Sequence, residues 1–229
     1  MHIILTGATG AVGAPILQHC LASPKITRVS VLSRRMFTIP PSDLDGVDTT
    51  KARVIVHEDY TSYPDTLLEE LKGAEGCIWA QGTSQNEVSE TEYIRVTHDS
   101  PVAAAKAFAG ISGTDHFNFV HISGQGVDSN ATLYTRIKGR AEKSLLELSG
   151  TPPHTSLRVF NVRPGYLSHY GIAPVLRVVA PGIVTPAAAL SKVCVDLVTG
   201  VGKPLEGEHI AAGGRTVLGE GIKKLAALR

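Results

Sequence analysis

Three side chains in the middle of the chain have the types and spacing for acid–base chemistry at a carbonyl. Ser123 closes the run Val120-His121-Ile122-Ser123, and Tyr134 and Lys138 follow it in Tyr134-Thr135-Arg136-Ile137-Lys138. On a helix, an i,i+4 spacing puts the phenol and the ammonium on one face. A free tyrosine ionises at about pH 10 and is a poor acid–base group at neutral pH. A neighbouring ammonium favours the phenolate and is expected to move its pKa toward the working range. A serine hydroxyl at a strand end can donate to a carbonyl oxygen where charge develops during hydride addition. These roles make Tyr134 the proton donor, Lys138 its tuning group and Ser123 the orienting donor. A Y-x-x-x-K string alone is common; the strand-end serine gives it weight.

A site for the hydride source is written near the start of the chain. Ile3-Ile4-Leu5 leads into Thr6-Gly7-Ala8-Thr9-Gly10-Ala11-Val12-Gly13, and helix-like Ala14-Pro15-Ile16-Leu17 follows. Glycines at these positions permit a tight turn, let the backbone approach a pyrophosphate and pack helix close to strand. The amides of the helix N-terminus then face the negative charge. The next apolar run ends in Leu32-Ser33-Arg34-Arg35, with no Asp or Glu between Gly13 and Asp43. NAD-binding folds place an acid about 20 residues past the glycines, on the ribose 2′-hydroxyl. Arginines can instead grip a 2′-phosphate bidentately. NADPH (NADP+) is therefore expected over NADH.

The elements that must position these groups follow from periodicity. Short apolar runs predict strands near 2–6, 27–33, 52–57, 76–80, 116–122 and 156–162. Helix-period segments predict helices near 11–22, 64–72, 90–109 and 131–149. Such alternation is the pattern of parallel βαβ units. The strands are continuous apolar runs, as in a sheet covered on both sides. The expected fold is α/β, a Rossmann doubly wound parallel sheet with helices on both faces. After residue 163 the alternation loosens into Pro- and Gly-rich sequence, a helix near 186–199 and a polar tail. One NAD(P)-binding domain is expected over 1–229, with 165–229 forming a small C-terminal substrate cap. Residues 171–190 are largely apolar, but Pro174, Arg177, Pro181 and Pro186 interrupt them. They read as a buried or pocket-lining segment, because a spanning helix needs about 20 unbroken apolar residues. Tyr166, His169 and Tyr170 are expected to line the substrate pocket. The Pro40-Pro41-Ser42-Asp43 stretch reads as a surface loop.

Composition excludes other classes. The 229 residues carry a formal net charge of +1, which gives no electrostatic case for a nucleic-acid or anionic-membrane partner. Hydrophobic content of 43% is that of a globular domain able to bury a core without staples. Cys20, Cys77 and Cys194 are scattered and sit in apolar patterns, which fits a reducing compartment and a cytoplasmic protein. The opening apolar run is expected to be the first strand rather than a cleaved leader. His57, His98, His116, His121 and His209 show no ligand spacing, so no metal is expected. Asp59-Tyr60 reads either as a surface turn or as a lid on the adenine, and Lys223-Lys224 as a solvated helix face. The partner is then a small-molecule substrate, for a monomer or homodimer without a transmembrane segment.

As a set, these motifs resemble the atypical short-chain dehydrogenases/reductases, and among them the Tat-interacting-protein-like oxidoreductases and their fungal mitochondrial relatives. The resemblance rests on the T-G-x-x-G-x-x-G spacing, Leu32 to Arg35, His116-Phe117-Asn118, Tyr134 to Glu142 and Arg163-Pro164-Gly165, and covers about residues 2–167. It implies that Ser123, Tyr134 and Lys138 are the catalytic trio. Gly7, Thr9, Gly10, Ala11, Val12 and Gly13 would bind pyrophosphate, with Arg34 and Arg35 on the adenosine phosphate. Ala80, Gln81 and Gly82 would lie by the adenine-side ribose, and Pro164, Gly165 and Tyr166 beside the nicotinamide. Tyr134 and Lys138 also touch the cofactor in this family. The fourth-strand exit departs from the usual Asn-Ala-Gly, reading Trp79-Ala80-Gln81-Gly82, and the short C-terminal part disfavours a nucleotide-sugar substrate. The family implies NADPH-dependent carbonyl reduction. Its alternatives are a regulatory or scaffold protein that binds NADPH with little turnover, or epimerase/dehydratase-type activity. A peripheral mitochondrial location is the alternative to the cytoplasm.

Overall fold

The computed structural model describes residues 1–41, 44–129, 131–167 and 183–228. Strand β1 (His2–Thr6) is buried along its whole length. It pairs in parallel with β2 (Arg28–Ser33) on one side and β4 (Gly76–Trp79) on the other. Beyond β2 lies β3 (Ala52–Val56); beyond β4 lie β5 (Phe117–Ile122) and β6 (Leu157–Val162). Two short strands, β9 (Ile210–Ala211) and β10 (Thr216–Val217), complete a sheet of order β3-β2-β1-β4-β5-β6-β10-β9. Among these strands only β9 runs antiparallel. A separate parallel pair joins β7 (Tyr166–Leu167) to β8 (Val184–Thr185). The chain winds outward from β1 to β3 and returns to start again at β4. The strand order therefore reverses between β1 and β4, the kind of crevice where open α/β sheets bind ligands.

The doubly wound layers follow from the period-2 alternation of each strand. Ile3 and Leu5 face a core filled by Ile16, Leu17, Cys20 and Leu21 of α1 (Gly13–Ala22), by Leu190, Val193, Cys194 and Val198 of α6 (Ala187–Val198), and by Ile222 of α7 (Gly219–Ala227). Ile4 points the other way, with Cys77, Trp79, Phe117 and Phe119. That second core is closed by Leu67 and Leu71 of α2 (Asp65–Leu71), Ala104 and Phe108 of α4 (Ser100–Phe108), and Leu145 of α5 (Leu133–Leu148). The three cysteines are buried and free, as small hydrophobes in these layers.

Six strands and five helices lie within a few residues of the bounds read from sequence. The segment expected as one helix over 90–109 holds an extra residue. Between α3 (Glu90–Ile94) and α4 it runs as a π-helical turn over Arg95–Asp99, in which the Ser100 amide donates to Arg95 O. Pro101 has no N–H to continue the α-helical ladder, and such single-turn insertions take up the mismatch. The polar tail expected after residue 199 is not borne out. That stretch forms β9, β10 and α7, with Asn161 N donating to Arg215 O (2.8 Å) and Arg163 N to Val217 O (2.9 Å). Two-residue strands are too short to leave a period in the sequence, and tertiary pairing alone creates them. Lys223 and Lys224 do lie on a helix, paired with Glu220 and Glu208. Among the described residues no helix is long and apolar enough to cross a membrane. Ser42, Asp43, His169, Tyr170, Pro174, Arg177 and Pro181 lie outside the described residues.

Phe119 is fully buried and stacks on Trp79, with ring centroids 6.1 Å apart. Truncating it removes apolar contact and leaves a cavity. Phe119→Ala is expected to lower the unfolding free energy by about 3–5 kcal/mol in urea titrations. Val201→Ala, at a position 72% exposed, should stay within about 0.5 kcal/mol of the parent protein.

Candidate active site

At the reversal point the chain turns so tightly that side chains do not fit. Gly7 has φ +70°, and a Cβ there would run into the Ala80 carbonyl at the exit of β4. At Gly13, the first residue of α1, a Cβ would strike Gly7 O. Both contacts let helix, turn and neighbouring strand close on one another. Hydrogen bonds from Gly10 N to Gly7 O and from Ala14 N to Gly10 O, each 2.9 Å, hold the turn. Ala11 is exposed and Val12 caps α1 while packing on the core.

Beside the turn lies a groove of about 430 Å³, with Gly7, Thr9, Gly10, Ala80, Gln81 and Gly82 on one side and Arg34 and Arg35 at its rim. Both guanidinium groups are exposed and have no carboxylate within ion-pair distance among the described residues. Tyr60 also lines the groove while nearly fully buried, edge-on to Trp79 at 5.7 Å. Asp59 lies at the surface and accepts from Thr61 N and Oγ1 at 3.0 and 2.6 Å. The two alternatives for Asp59-Tyr60 are thus divided between its residues. Met36 and Phe37 complete the wall; no spacing in the sequence marks them.

The trio meets at the same edge, one strand further on. Ser123 follows β5, is 5% exposed, and its Oγ has no hydrogen-bond partner among the described residues. Tyr134 and Lys138 stand on the first turns of α5, which a capping box between Thr132 and Thr135 starts. Gln85 Oε1, from the loop after β4, accepts from Tyr134 N at 2.8 Å and ties that helix end to the β4 exit. The Tyr134 hydroxyl lies against Gly124, where a Cβ would collide with it. Lys138 Nζ donates to Ser123 O at 3.0 Å and lies 5.3 Å from the centre of the Tyr134 ring. Pro164 accepts from Gln125 N at 3.0 Å, and Gly165 N donates to Thr185 Oγ1 at 2.9 Å. Tyr166 is 52% exposed beside them.

The expected tuning of Tyr134 by Lys138 is corrected by this geometry. Burial pushes the phenol up to about 12, helped by Tyr93, Glu142 and Tyr166. Burial also pulls the Lys138 ammonium down to about 8, against the opposing pull of Glu142. The ammonium addresses the Ser123 carbonyl and the face of the ring, not the phenolic oxygen. Without further partners Tyr134 therefore holds its proton at neutral pH.

Sequence reasoning missed what supports Lys138. Glu142, one turn on and 3% exposed, is gripped by Arg163, whose Nε donates to both carboxylate oxygens (3.0 and 3.1 Å) and whose Nη2 donates to Oε2 (2.7 Å). Arg163 also holds Asp128 at 2.5 and 3.0 Å. Both stretches had been singled out, yet the ion pair joins positions on different elements and no local spacing reveals it.

The residues suit a dinucleotide. The glycines leave a cradle that a Cβ would fill, and Gln81 Oε1 and Ser123 Oγ are buried polar atoms with no partner among the described residues. Among the described residues no group of three His, Cys, Asp or Glu side chains could hold a metal. His98 instead bonds Asp99 and Ser144 (2.7 and 3.2 Å).

A parallel sheet reversing at a glycine turn, with a serine, tyrosine and lysine converging on the same edge, defines a protein of the Rossmann α/β fold. Solved structures agree on the fold: a short-chain type dehydrogenase/reductase from Mycobacterium ulcerans superposes with a TM-score of 0.67 over 97% of this chain and 90% of that one, at 14% identity. No family model matches the chain. It is 42% identical over 153 residues to leucinostatins biosynthesis cluster protein T of Purpureocillium lilacinum, covering 66% of this chain but about half (54%) of that protein. It is 31% identical over 169 residues to the mitochondrial protein fmp52 of Emericella nidulans, covering 73% of this chain and 67% of the relative. The chain belongs to this fungal fmp52 family.

His121, on β5 beneath the trio, supplies a pH test. Burial, and secondarily the Lys138 charge, press its pKa down to about 4 from 6.5, while its Nδ1 meets Asn161 Oδ1 at 2.9 Å. Between those values the unfolded chain binds the proton that the folded chain refuses, so stability falls as pH drops from 6.5 toward 4. His121→Gln is expected to flatten that part of the stability–pH curve by about 2–3 kcal/mol. The check is urea titration at intervals from pH 7 to pH 4.

Proposed function

We propose that the chain is an NADPH-dependent oxidoreductase that reduces a carbonyl on a small or medium apolar substrate, or runs the reverse alcohol oxidation. The observation that carries this reading is the shared edge. The groove rimmed by Arg34 and Arg35, which have no carboxylate partner among the described residues, and the Ser123–Tyr134–Lys138 cluster both open at the C-terminal ends of the adjacent strands β1, β4 and β5. When bound, the reduced nicotinamide supplies a hydride.

The chain's own groups do the rest. Ser123 Oγ, without a partner among the described residues, donates to the carbonyl oxygen and orients it. Tyr134 carries a proton at neutral pH, the state that a donor to a nascent alkoxide requires. Lys138, over the face of the Tyr134 ring, would offset the charge left on the phenol and would hold the ribose, and Glu142 opposes the burial that lowers the Lys138 pKa. Arg34 and Arg35 are free to take the 2′-phosphate. Exposed Tyr166 and Ile183 near Gly165 favour an apolar substrate. The mitochondrial designation of the Emericella relative favours a peripheral mitochondrial address over a cytoplasmic one. The second reading, an NADPH-binding regulatory protein with little turnover, draws on the Lys138 ammonium being engaged by Ser123 O instead of the phenol.

Replacing Arg34 and Arg35 with alanine is expected to weaken NADPH by about 1.5–3 kcal/mol per lost contact and to leave NADH nearly unchanged. Calorimetry with both cofactors checks this, and equal loss for both removes the 2′-phosphate assignment. Tyr134→Phe should keep NADPH affinity within a few-fold and cut turnover by about 10²–10⁴ in a screen of aldehydes, ketones and quinones. Tight NADPH binding with no turnover on any of them selects the regulatory reading. Reduction by the parent protein should decline as pH rises through about 8, where Lys138 loses its charge.

A further inference from the structure

The opposite edge of the sheet, where the parallel strands begin, holds a second cavity of about 390 Å³. Its walls include Ser149 and Gly150 after α5, Thr155 and Arg158 at the start of β6, and Ala212 and Arg215 in the β9–β10 turn. None of these residues belongs to the groove or the trio.

Each arginine is anchored through one nitrogen, and its other nitrogens make no hydrogen bond among the described residues. Arg158 Nη1 donates to Thr155 O (2.7 Å) and Leu157 O (2.9 Å), and the stem lies close against Gly202. Arg215 Nη1 donates to Gly202 O (2.8 Å), and its guanidinium covers the Phe160 ring at 4.8 Å. Neither has a carboxylate partner among the described residues, in contrast to Arg53, Arg95 and Arg163. Burial, and after it the charge of Arg158, disfavours the charged form of Arg215. The Thr155 hydroxyl is at the exposed rim. Two like charges are thus held at one cavity by backbone bonds, with the remaining N–H groups of both unused by the described residues. The end of α5 adds only about half a negative charge against two full positive ones. Guanidinium forks match oxyanions bidentately, and a dianion balances both cations where a monocarboxylate would leave one. Side chains already fixed lose little freedom on binding.

We propose that this cavity is a binding site for a phosphate group, held between Arg158 and Arg215, separate from the cofactor groove and independent of whether the chain is an enzyme. Inorganic phosphate and glycerol 3-phosphate serve as probes, titrated into the intact ¹⁵N-labelled protein while the arginine Nε–H resonances are followed, with chloride at matched ionic strength as control. Because the glycine turn also attracts phosphate, the titration is repeated in the Arg34→Ala/Arg35→Ala protein. The expected result is saturable shifts of the Arg158 and Arg215 signals in both proteins. Thr155→Glu sets a carboxylate at the exposed rim without disturbing the core, and should weaken the response at least tenfold and raise the melting temperature. Arg215→Gln, with its fold verified by circular dichroism, should weaken the Arg158 response to the same extent. The tighter probe tells whether free phosphate or a phosphomonoester is the source. Shifts that merely follow chloride, no shifts, or binding that survives both substitutions would overturn the proposal.

Discussion

The structure depends on the meeting of three backbones at Gly7. The turn after β1, the first residue of α1 and the exit of β4 approach so closely that a single added carbon at Gly7 or Gly13 would overlap a carbonyl oxygen. That contact sets the height of α1 above the sheet. It also brings Ala80 to Gly82 alongside the turn, and it shapes the groove that Arg34, Arg35 and Tyr60 complete from the β2 and β3 side. Relaxing it by a carbon would move helix, groove and strand exit together, because interiors are close-packed and transmit such strain.

A second constraint is the cation within the trio. Placing Lys138 against Ser123 O and the Tyr134 ring takes an ammonium out of water, and its pKa falls accordingly. Glu142 opposes that fall from one helical turn away, and Arg163 holds Glu142 in place by three hydrogen bonds while reaching Asp128. Breaking a buried pair by removing one partner is far more damaging than never having built it. The trio therefore rests on a chain of alternating charge that runs from α5 to the end of β6. At the other end burial raises the pKa of the tyrosine instead of lowering it.

The C-terminal part of the chain bears on the fold as well as on any substrate. Helix α6 packs on α1 and the first core, and β10 extends the sheet past β6. Residues 183–228 thus finish the layer that the N-terminal half begins, and Arg215 reaches Phe160 and Gly202 only because β10 docks there.

Much of this was legible in the residues themselves. Continuous apolar runs set β1, β2, β4, β5 and β6, because strands covered on both faces need them, whereas β3 lies at the sheet edge and is only partly covered. The glycine spacing, the arginines closing β2 and the i,i+4 pair Tyr134–Lys138 follow from local geometry, and local geometry is what a sequence encodes directly. What only the tertiary structure decided involves partners distant in sequence. Tyr60 was divided from Asp59 by its edge contact with Trp79. The Glu142–Arg163 clamp, the Gln85 tie to α5 and the two-residue strand β10 exist because separate elements dock. The protonation of Tyr134 belongs to the same group: the lysine spacing pointed toward the phenolate, but desolvation depends on everything packed around the ring, and no spacing within one helix carries that information.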